Sequence, residues 1–334
     1  MNNAIKLAAD IGGTFTDIVL EAGRQRWSGK VLTTTQAPEL GVIEGIGLVL
    51  EQSGMNPADI GVFIHGTTLA TNALIERKGA KTAFVTTRGF RDILEQGYEK
   101  RFDHYDLMID RSVPLVPRTL RFTVEERLSA DGDVLQPLDE SALQELARQL
   151  RGENVKAVAI GFLHAYAHDG HERRVREILS AALPKDVTIC ISSEVAPEIR
   201  EFERFSTVVA NAYVRPLMAG YLHRLRDQLR DMKMDCPLFL MMSGGGLTTL
   251  ETAARFPIRL VESGPAGGAI LASEIAAECA LPEVVSFDMG GTTAKICLLT
   301  NGEPERARKF EIARAYRDMK GSGIPVRIPV IEMV

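Results

Sequence analysis

Residues 9–17 read Ala9-Asp10-Ile11-Gly12-Gly13-Thr14-Phe15-Thr16-Asp17 and lie between two short apolar runs, residues 5–9 and 18–20. This pattern predicts a strand, a tight turn and a second strand, with the polar side chains at the turn. Glycine adopts backbone angles that a side chain forbids, and successive backbone N–H groups with threonine hydroxyls can bind an anion. Asp10 and Asp17 would repel a bare phosphate, so the stretch indicates a bridging divalent cation or a polarised water.

The same pattern returns near the end of the chain, as Asp288-Met289-Gly290-Gly291-Thr292-Thr293-Ala294-Lys295 between apolar residues 284–287 and 296–299. One Gly-Gly-Thr turn is weak support for a ligand site, because Gly-Gly is also common in plain hairpins. Two copies of Asp-x-Gly-Gly-Thr, each inside a predicted hairpin, are more specific. They indicate two related half-domains that face one nucleotide, with one loop from each half.

These two hairpins resemble the two phosphate loops of the actin, Hsp70 and sugar-kinase ATPase superfamily. A closer resemblance is to the N-terminal portion of the hydantoinase A / 5-oxoprolinase family, which includes N-methylhydantoinase A-like subunits. Besides the two hairpins, the motifs that carry it are residues 65–73 (HGTTLATNA), 86–92 (TTRGFRD), 211–216 (NAYVRP), 243–247 (SGGGL) and 263–268 (SGPAGG). The motifs follow one another over nearly the whole chain.

The resemblance implies an α/β fold of the actin-like (ribonuclease H-like) ATPase type, built from two α/β domains. We expect an N-terminal hydantoinase A/oxoprolinase-type domain at residues 1–195 with the first phosphate loop. Residues 196–334 would begin the second actin-like domain with the second phosphate loop. Because family subunits continue into further glycine-rich loops, we expect a truncated chain with an incomplete second domain. Residues 155–163 form a nearly all-apolar run, typical of a buried parallel strand.

Composition sets limits on the class of protein. The 334 residues leave room for two domains, and 45% hydrophobic with 25% charged residues is ordinary for a globular protein. A net charge of −5 argues against nucleic acid as a bulk electrostatic partner. The four cysteines include no Cys-x-x-Cys pair, and no apolar segment is long enough for a signal peptide or a membrane span. These features predict a cytoplasmic protein without a nucleic-acid or membrane partner.

The resemblance implies roles for individual residues. Asp10 and Asp288 would be catalytic and would hold Mg²⁺ (or Mn²⁺), and ATP would be the nucleotide. The predicted nucleotide-binding residues are Gly12, Gly13, Thr14, Thr16, Gly290, Gly291, Thr292, Thr293 and Lys295. Lys295 stands where many family members have an acidic residue; it could contact a phosphate, or pair with Asp288 or another carboxylate.

A substrate site is predicted at His65, Gly66, Thr67, Thr68 and Arg88. His-Gly-Thr-Thr follows a short predicted strand and precedes a predicted helix, and a helix N-terminus suits an anion or a carboxylate. The alternative is that a threonine only caps the helix and that His65 is a hydrogen-bonded core histidine. Arg88 could hold a substrate carboxylate or amide oxygen, or it could be an ordinary surface arginine.

The family's activity implies an ATP-dependent hydrolase that opens a cyclic amide of the hydantoin, N-methylhydantoin or 5-oxoproline type. Phosphorylation of the ring carbonyl would activate an otherwise poor electrophile. The resemblance also implies an oligomer and a B-type hydantoinase subunit as partner. Two alternatives stay open: a subunit of an ATP-dependent ketone carboxylase of the acetone or acetophenone type, and a small-metabolite kinase or non-catalytic actin-like ATP-binding module.

Overall fold

The computed structural model describes residues 5–34, 36–98, 103–289, 294–316 and 319–333. Its helices are α1 (Pro38–Ser53), α2 (Leu69–Ile75), α3 (Ile93–Gln96), α4 (Leu143–Gly152), α5 (Gly170–Ala182), α6 (Ser192–Val195), α7 (Glu201–Asp231), α8 (Leu250–Arg255) and α9 (Ser263–Glu278). Its strands are β1 (Ile5–Ile11), β2 (Phe15–Ala22), β3 (Gln25–Leu32), β4 (Ile60–Thr67), β5 (Thr82–Thr87), β6 (Arg121–Val124), β7 (Arg127–Leu128), β8 (Val134–Gln136), β9 (Ala157–Gly161), β10 (Thr188–Ile191), β11 (Leu238–Met241), β12 (Leu247–Thr249), β13 (Glu283–Met289), β14 (Ala294–Thr300), β15 (Glu303–Pro304), β16 (Arg306–Ala307), β17 (Phe310–Ile312), β18 (Ile324–Val326) and β19 (Val330–Ile331).

The described backbone groups into two compact units that interleave along the chain. Unit 1 draws on residues 1–72, 218–308 and 329–334, and unit 2 draws on residues 73–217 and 309–328. The change from unit 2 back to unit 1 falls inside the long helix α7, two residues after Pro216. The predicted sequence domains, residues 1–195 and 196–334, stay a prediction, and the compact units follow a different grouping of the same residues.

Unit 1 is built on a six-stranded mixed sheet in the order β12-β11-β4-β1-β2-β3. Strands β1, β2 and β3 are antiparallel neighbours, whereas β1, β4 and β11 run parallel. This arrangement fits the actin-like (ribonuclease H-like) architecture that the resemblance implied. In β1 the side chains of Leu7, Ala9 and Ile11 are buried and those between them are exposed. That alternation puts Asp10 on the open face of the sheet.

The second predicted hairpin is present in unit 1 as β13 and β14, which pair antiparallel with Asp288 opposite Lys295. Helix α9 packs on this hairpin: Ala266 and Ala269 share a small buried cluster with Cys297, Leu299 and Ile331. Small residues on α9 allow this close approach. The hairpin therefore docks against the same helix whose first turn lies near Asp10.

Unit 2 contains a four-stranded, fully parallel sheet in the order β10-β9-β5-β6. All five residues of β9 are buried, as expected for the apolar run at residues 155–163. Helices α4 and α5 and the first part of α7 belong to the same unit. Within the described ranges, no helix combines the length and the apolar character needed to cross a bilayer.

Candidate active site

Asp10 lies one residue before the end of β1, and its carboxylate sits between two glycines of other elements. The strand register places Asp10 beside Asp17 of β2 and Gly66 of β4. A Cβ atom added to Gly66 would lie 2.6 Å from Asp10 Oδ1, and one added to Gly264 would lie 3.3 Å from Asp10 Oδ2. A side chain at Gly66 would therefore displace the carboxylate, whereas one at Gly264 would require a shift of only a few tenths of an ångström.

The first turn of α9 is fixed to the end of β4 by hydrogen bonds. Ser263 Oγ donates to the Thr67 carbonyl oxygen at 3.1 Å and accepts from the Thr67 N–H at 3.4 Å. The Glu262 N–H donates to Thr71 Oγ1 at 3.1 Å, and Glu262 itself has a left-handed backbone with φ of 63°. Because the N-terminus of a helix carries partial positive charge, this turn favours negative charge beside it. Asp10 is one such charge, and an anionic ligand would be another.

Carboxylates surround Asp10 and affect its protonation. Burial raises the pKa of Asp10, and the nearby charges of Asp17 and Asp288 raise it further. The side chain nevertheless keeps a solvent-accessible face. Asp17 forms an ion pair with Lys30 at 2.9 Å. Asp10 and Asp288 form no ion pair with any residue in the described part of the chain.

Lys295 contacts the carboxylate of Glu262 at the start of α9. This contact fits the interpretation in which Lys295 pairs with a carboxylate rather than the one in which it reaches a phosphate unaided. Burial lowers the pKa of Lys295 to about 8. Glu262 carries no role in the sequence prediction, because nothing in the local sequence connects it to a lysine 33 positions later.

The first glycine loop has an internally bonded base and an open tip. The Gly12 N–H donates to the Phe15 carbonyl oxygen at 2.9 Å, and Thr33 Oγ1 donates to the Gly12 carbonyl oxygen at 3.0 Å. Thr16 is fully buried, and its hydroxyl bonds Thr33 Oγ1 at 3.0 Å. Gly13 and Thr14 are exposed at the tip. Of the predicted loop residues, Thr16 therefore supports the loop from below, whereas Gly13 and Thr14 are available to a ligand.

Four predicted residues of the second loop, Gly290, Gly291, Thr292 and Thr293, lie outside the described residues. Their predicted role in phosphate binding stays a prediction. The two ends of that loop, Asp288 and Lys295, are described and lie opposite each other across the hairpin.

His65 is fully buried, and both of its ring nitrogens are hydrogen bonded. Nδ1 lies 3.0 Å from the Ala9 carbonyl oxygen and so carries the proton, and Nε2 accepts from the Tyr221 hydroxyl at 2.6 Å. Burial lowers the pKa of His65 to about 4, so the ring is neutral at pH 7. This geometry favours the core-histidine alternative over a substrate contact.

The other predicted substrate residues divide between the units. Thr67 Oγ1 accepts from the Leu69 N–H at 3.2 Å, and Thr68 Oγ1 donates to the Ile11 carbonyl oxygen at 3.1 Å, so both hydroxyls hold the end of β4 in place. Gly66 stays beside Asp10. Arg88 belongs to unit 2, where its exposed side chain contacts Glu125. The structure thus groups Gly66, Thr67 and Thr68 around Asp10 within unit 1, and Arg88 is not part of that unit.

No group of three or more histidine, cysteine, aspartate or glutamate side chains arranged to hold a metal ion occurs among the residues that the structure describes. Mg²⁺ that accompanies a nucleotide needs fewer protein ligands, since one or two carboxylates with phosphate oxygens and waters complete its shell. Asp10 and Asp288 offer two carboxylates that lie close enough for one charge to raise the pKa of the other. This donor set fits a nucleotide-bound divalent cation.

Two family descriptions match the chain: "Hydantoinase/oxoprolinase N-terminal region" over residues 6–183 and "Hydantoinase/oxoprolinase" over residues 204–334. An uncharacterized protein of Methanocaldococcus jannaschii is 38% identical over 98% of this chain and 49% of its own length. The caprolactamase subunit alpha of Pseudomonas jessenii is 34% identical over 93% of this chain and 46% of its own length. The chain therefore spans about half the length of these relatives.

Two solved structures share the fold. The ATP-dependent caprolactamase from Pseudomonas jessenii has a TM-score of 0.85 and 32% identity, over 98% of this chain and 47% of that one. A nucleotide-free structure of acetone carboxylase has a TM-score of 0.87 and 25% identity, over 100% of this chain and 48% of that one. These likenesses confirm the predicted α/β fold, and with the two family matches they confirm the predicted relationship: the chain belongs to the hydantoinase/oxoprolinase family.

Proposed function

We propose that this chain is the nucleotide-binding part of an ATP-dependent enzyme that opens the amide bond of a cyclic amide of the hydantoin, N-methylhydantoin or 5-oxoproline type. The observation that carries the proposal is the Asp10 carboxylate, held between Gly66 and Gly264 at the first turn of α9 and close to the charge of Asp288. This arrangement suits an anion that binds together with a cation. The similarity to an ATP-dependent caprolactamase supports it.

The charges around Asp10 favour a metal–nucleotide complex over a bare phosphate. Lys30 pairs with Asp17 and Lys295 pairs with Glu262, which leaves the charges of Asp10 and Asp288 uncompensated by the described residues. Two negative charges repel a triphosphate, whereas Mg²⁺ or Mn²⁺ bound by these carboxylates would reverse the sign of the local potential. The backbone at Gly12, Gly13 and Thr14 and the second loop at residues 290–293 would then cradle the phosphates.

Phosphoryl transfer supplies the activation that a ring amide lacks. The ring carbonyl oxygen attacks the γ-phosphorus of ATP and ADP leaves; water then adds to the carbonyl carbon, the C–N bond breaks and the ring nitrogen takes a proton, which gives an acyl phosphate. A second water hydrolyses the acyl phosphate to a carboxylate and inorganic phosphate. The protein's contribution is to position the reactants and to stabilise charge. Asp10 and Asp288 would bind the cation, and the positive end of α9 would stabilise negative charge beside Asp10. The substrate-binding roles of Gly66, Thr67, Thr68 and Arg88 are part of the same proposal.

The complete enzyme would include a second subunit. The caprolactamase relative is named an alpha subunit, and a B-type hydantoinase subunit is the corresponding partner that we propose for this chain. The water-activating base would then lie on that partner.

ATP-dependent carboxylation of a ketone is a second candidate. The observation that favours it is the fold similarity to acetone carboxylase, with a TM-score of 0.87 against 0.85 for the caprolactamase. Both reactions use ATP to activate an oxygen atom, so the carboxylates at Asp10 and Asp288 would serve either one. The substrate separates them: a lactam or imide for the first reaction, a ketone with bicarbonate for the second.

Calorimetric titration of ATP, with and without Mg²⁺, tests the nucleotide site in this chain, in Asp10→Asn and in the control Asp59→Asn, whose carboxylate is exposed on a short turn of unit 1. We expect Mg²⁺-dependent binding that Asp10→Asn loses and Asp59→Asn keeps. Release of ADP by the chain with its B-type partner is then measured with hydantoin, N-methylhydantoin, 5-oxoproline, or acetone with bicarbonate. A ring-opened amino acid product supports the proposal; a bicarbonate-dependent 3-oxoacid product would replace it with the second candidate.

A further inference from the structure

Unit 2 contains a partly enclosed cavity of about 90 Å³ that the function above does not use. One wall is a face of α7, where Phe202, Ser206 and Val209 recur at helical spacing. Apolar side chains, including Leu94 and Ile324, form much of the rest. The lining predicts a ligand whose body is largely apolar.

Ser206 places one polar group inside this lining. Its side chain is 2% exposed, and its hydroxyl has no hydrogen-bond partner among the residues that the structure describes. A buried hydroxyl without a partner costs free energy, and it can act as donor or acceptor for a group that enters the cavity. Ser206 therefore indicates that the ligand carries one hydrogen-bonding atom on its apolar body.

Arginines lie where the cavity opens. Arg111 and Ser112 line both the cavity and an adjoining open depression of about 300 Å³, which Arg77 and Arg314 also line. Arg77 donates to the Val113 carbonyl oxygen at 2.6 Å and Arg314 pairs with Glu311 at 3.1 Å. Arg111 is exposed and forms no ion pair with another described residue.

The acidic residue in the cavity lining, Glu95, does not compensate the positive charge of Arg111. Glu95 also lines the cavity, and its carboxylate accepts a hydrogen bond from Arg121 at 2.9 Å. The opening at Arg111 thus keeps an excess of positive charge next to an apolar interior.

We propose that this cavity binds a small carboxylic acid, with its carboxylate at Arg111, its apolar body in the cavity and one polar atom at Ser206. A guanidinium suits a carboxylate because its planar N–H groups match the two oxygens. An apolar cavity of about 150 Å³ holds a six-membered aromatic ring, so a volume of 90 Å³ fits a five-membered ring or a short branched chain. The inference concerns unit 2 alone and does not depend on the proposed reaction.

Two probes that differ only in the carboxylate test this site. The first is 5-oxoproline, which has a five-membered ring, an amide and a carboxylate; the second is 2-pyrrolidinone, which lacks the carboxylate. Calorimetry without nucleotide is expected to show saturable 5-oxoproline binding, and 2-pyrrolidinone binding weaker by about tenfold or more. Arg111→Gln should remove that difference, whereas the exposed Arg148→Gln on α4 should not.

Ser206→Ala separates a ligand contact from a structural role. We expect it to weaken binding of both probes about fivefold and to leave the melting temperature of the free protein unchanged or raised, because it removes a hydroxyl without a partner. The exposed Asp59→Asn should bind 5-oxoproline as the unmodified chain does. Because this titration contains no nucleotide, its result stays distinct from failure of the nucleotide site. Equal affinity for the two probes, an unaffected Arg111→Gln variant, or no saturable binding at millimolar concentration would each overturn the proposal.

Discussion

Replacing Gly66 by alanine should displace the Asp10 carboxylate without altering its chemistry. The new Cβ atom would lie 2.6 Å from Asp10 Oδ1, so the two atoms must separate by about 0.8 Å to reach an ordinary contact of 3.4 Å. Gly264 lies close to the other carboxylate oxygen and limits movement in that direction. A misplacement of about 1 Å in a reacting group can cost roughly 100-fold, so we expect Gly66→Ala to weaken Mg²⁺-ATP binding about 10- to 100-fold.

Alanine substitutions at two further glycines test how the loss of affinity depends on the distance to the Asp10 carboxylate. A Cβ at Gly264 would lie 3.3 Å from Asp10 Oδ2, which requires a shift of only a few tenths of an ångström, so Gly264→Ala should weaken binding less than Gly66→Ala does. Gly268, in the same helix, has nothing within 4 Å of its added Cβ. Gly268→Ala should leave affinity unchanged and stabilise the fold by about 0.5–1 kcal/mol, because alanine loses less backbone entropy in a helix than glycine does.

Calorimetry of nucleotide binding provides the assay, and thermal unfolding of each variant shows whether it is folded. The pKa of Asp10, followed by ¹³C NMR of its carboxylate, gives a second readout, since moving the group out of its crowded position should bring its raised pKa back toward the usual value. Unchanged affinity in folded Gly66→Ala, or an equal loss in Gly268→Ala, would refute the reasoning that Asp10 must occupy this position.

Three other outcomes follow from the contacts of unit 1. Asp17→Asn should lower the pKa of Asp10, because it removes a neighbouring negative charge; Mg²⁺-ATP binding, which needs the ionised carboxylate, should then persist to lower pH in a calorimetric pH series. Glu262→Gln should lower the pKa of Lys295 below about 8, as ¹⁵N NMR of the ammonium can measure, and an unchanged value would show that the ion pair does not favour the charged form. Tyr221→Phe should cost about 1–3 kcal/mol in urea unfolding, since it leaves a buried histidine nitrogen without its donor, and a cost near zero would contradict that role.

The two hairpins could be predicted because their signals are local. Each motif lies within about ten residues, and the turn glycines sit between apolar runs that form the paired strands. Period-two alternation in β1 also predicts that Asp10 and Ile11 point to opposite faces, as they do. For these elements the neighbours in sequence are also the neighbours in space.

Alternation does not place His65 in the same way, because Ile60, Val62 and Ile64 make one face of β4 apolar while Phe63 lies on the face of His65. In the structure the buried positions of β4 are Ile60, Phe63, His65 and Thr67, and Gly66 lies beside Asp10. The histidine therefore belongs to the core, where Ala9 and Tyr221 complete its hydrogen bonds. The His-Gly-Thr-Thr motif alone does not predict this burial, because it contains residues of both faces.

Long-range pairings could not be predicted. Lys295 and Glu262 meet because α9 packs on the second hairpin, and Thr71 reaches the same turn from a helix almost two hundred residues earlier. The interleaving of the two units along the chain has the same origin. Such contacts depend on how whole helices and strands pack against one another. Neither hydrophobic periodicity nor a local sequence motif encodes that packing.

These long-range pairs also decide the charge of the site. If Lys295 were free to face Asp10 and Asp288, one ammonium would offset part of their charge, and a bare anion would meet less repulsion. Glu262 occupies Lys295 instead, and Lys30 is occupied by Asp17. Two carboxylates from the two hairpins are thereby left to act together, and a divalent cation is the simplest group that satisfies both. Under the proposed function, a site with this balance would select its nucleotide as a metal complex, which is the form that both phosphoryl activation of a lactam and that of a ketone enolate would require.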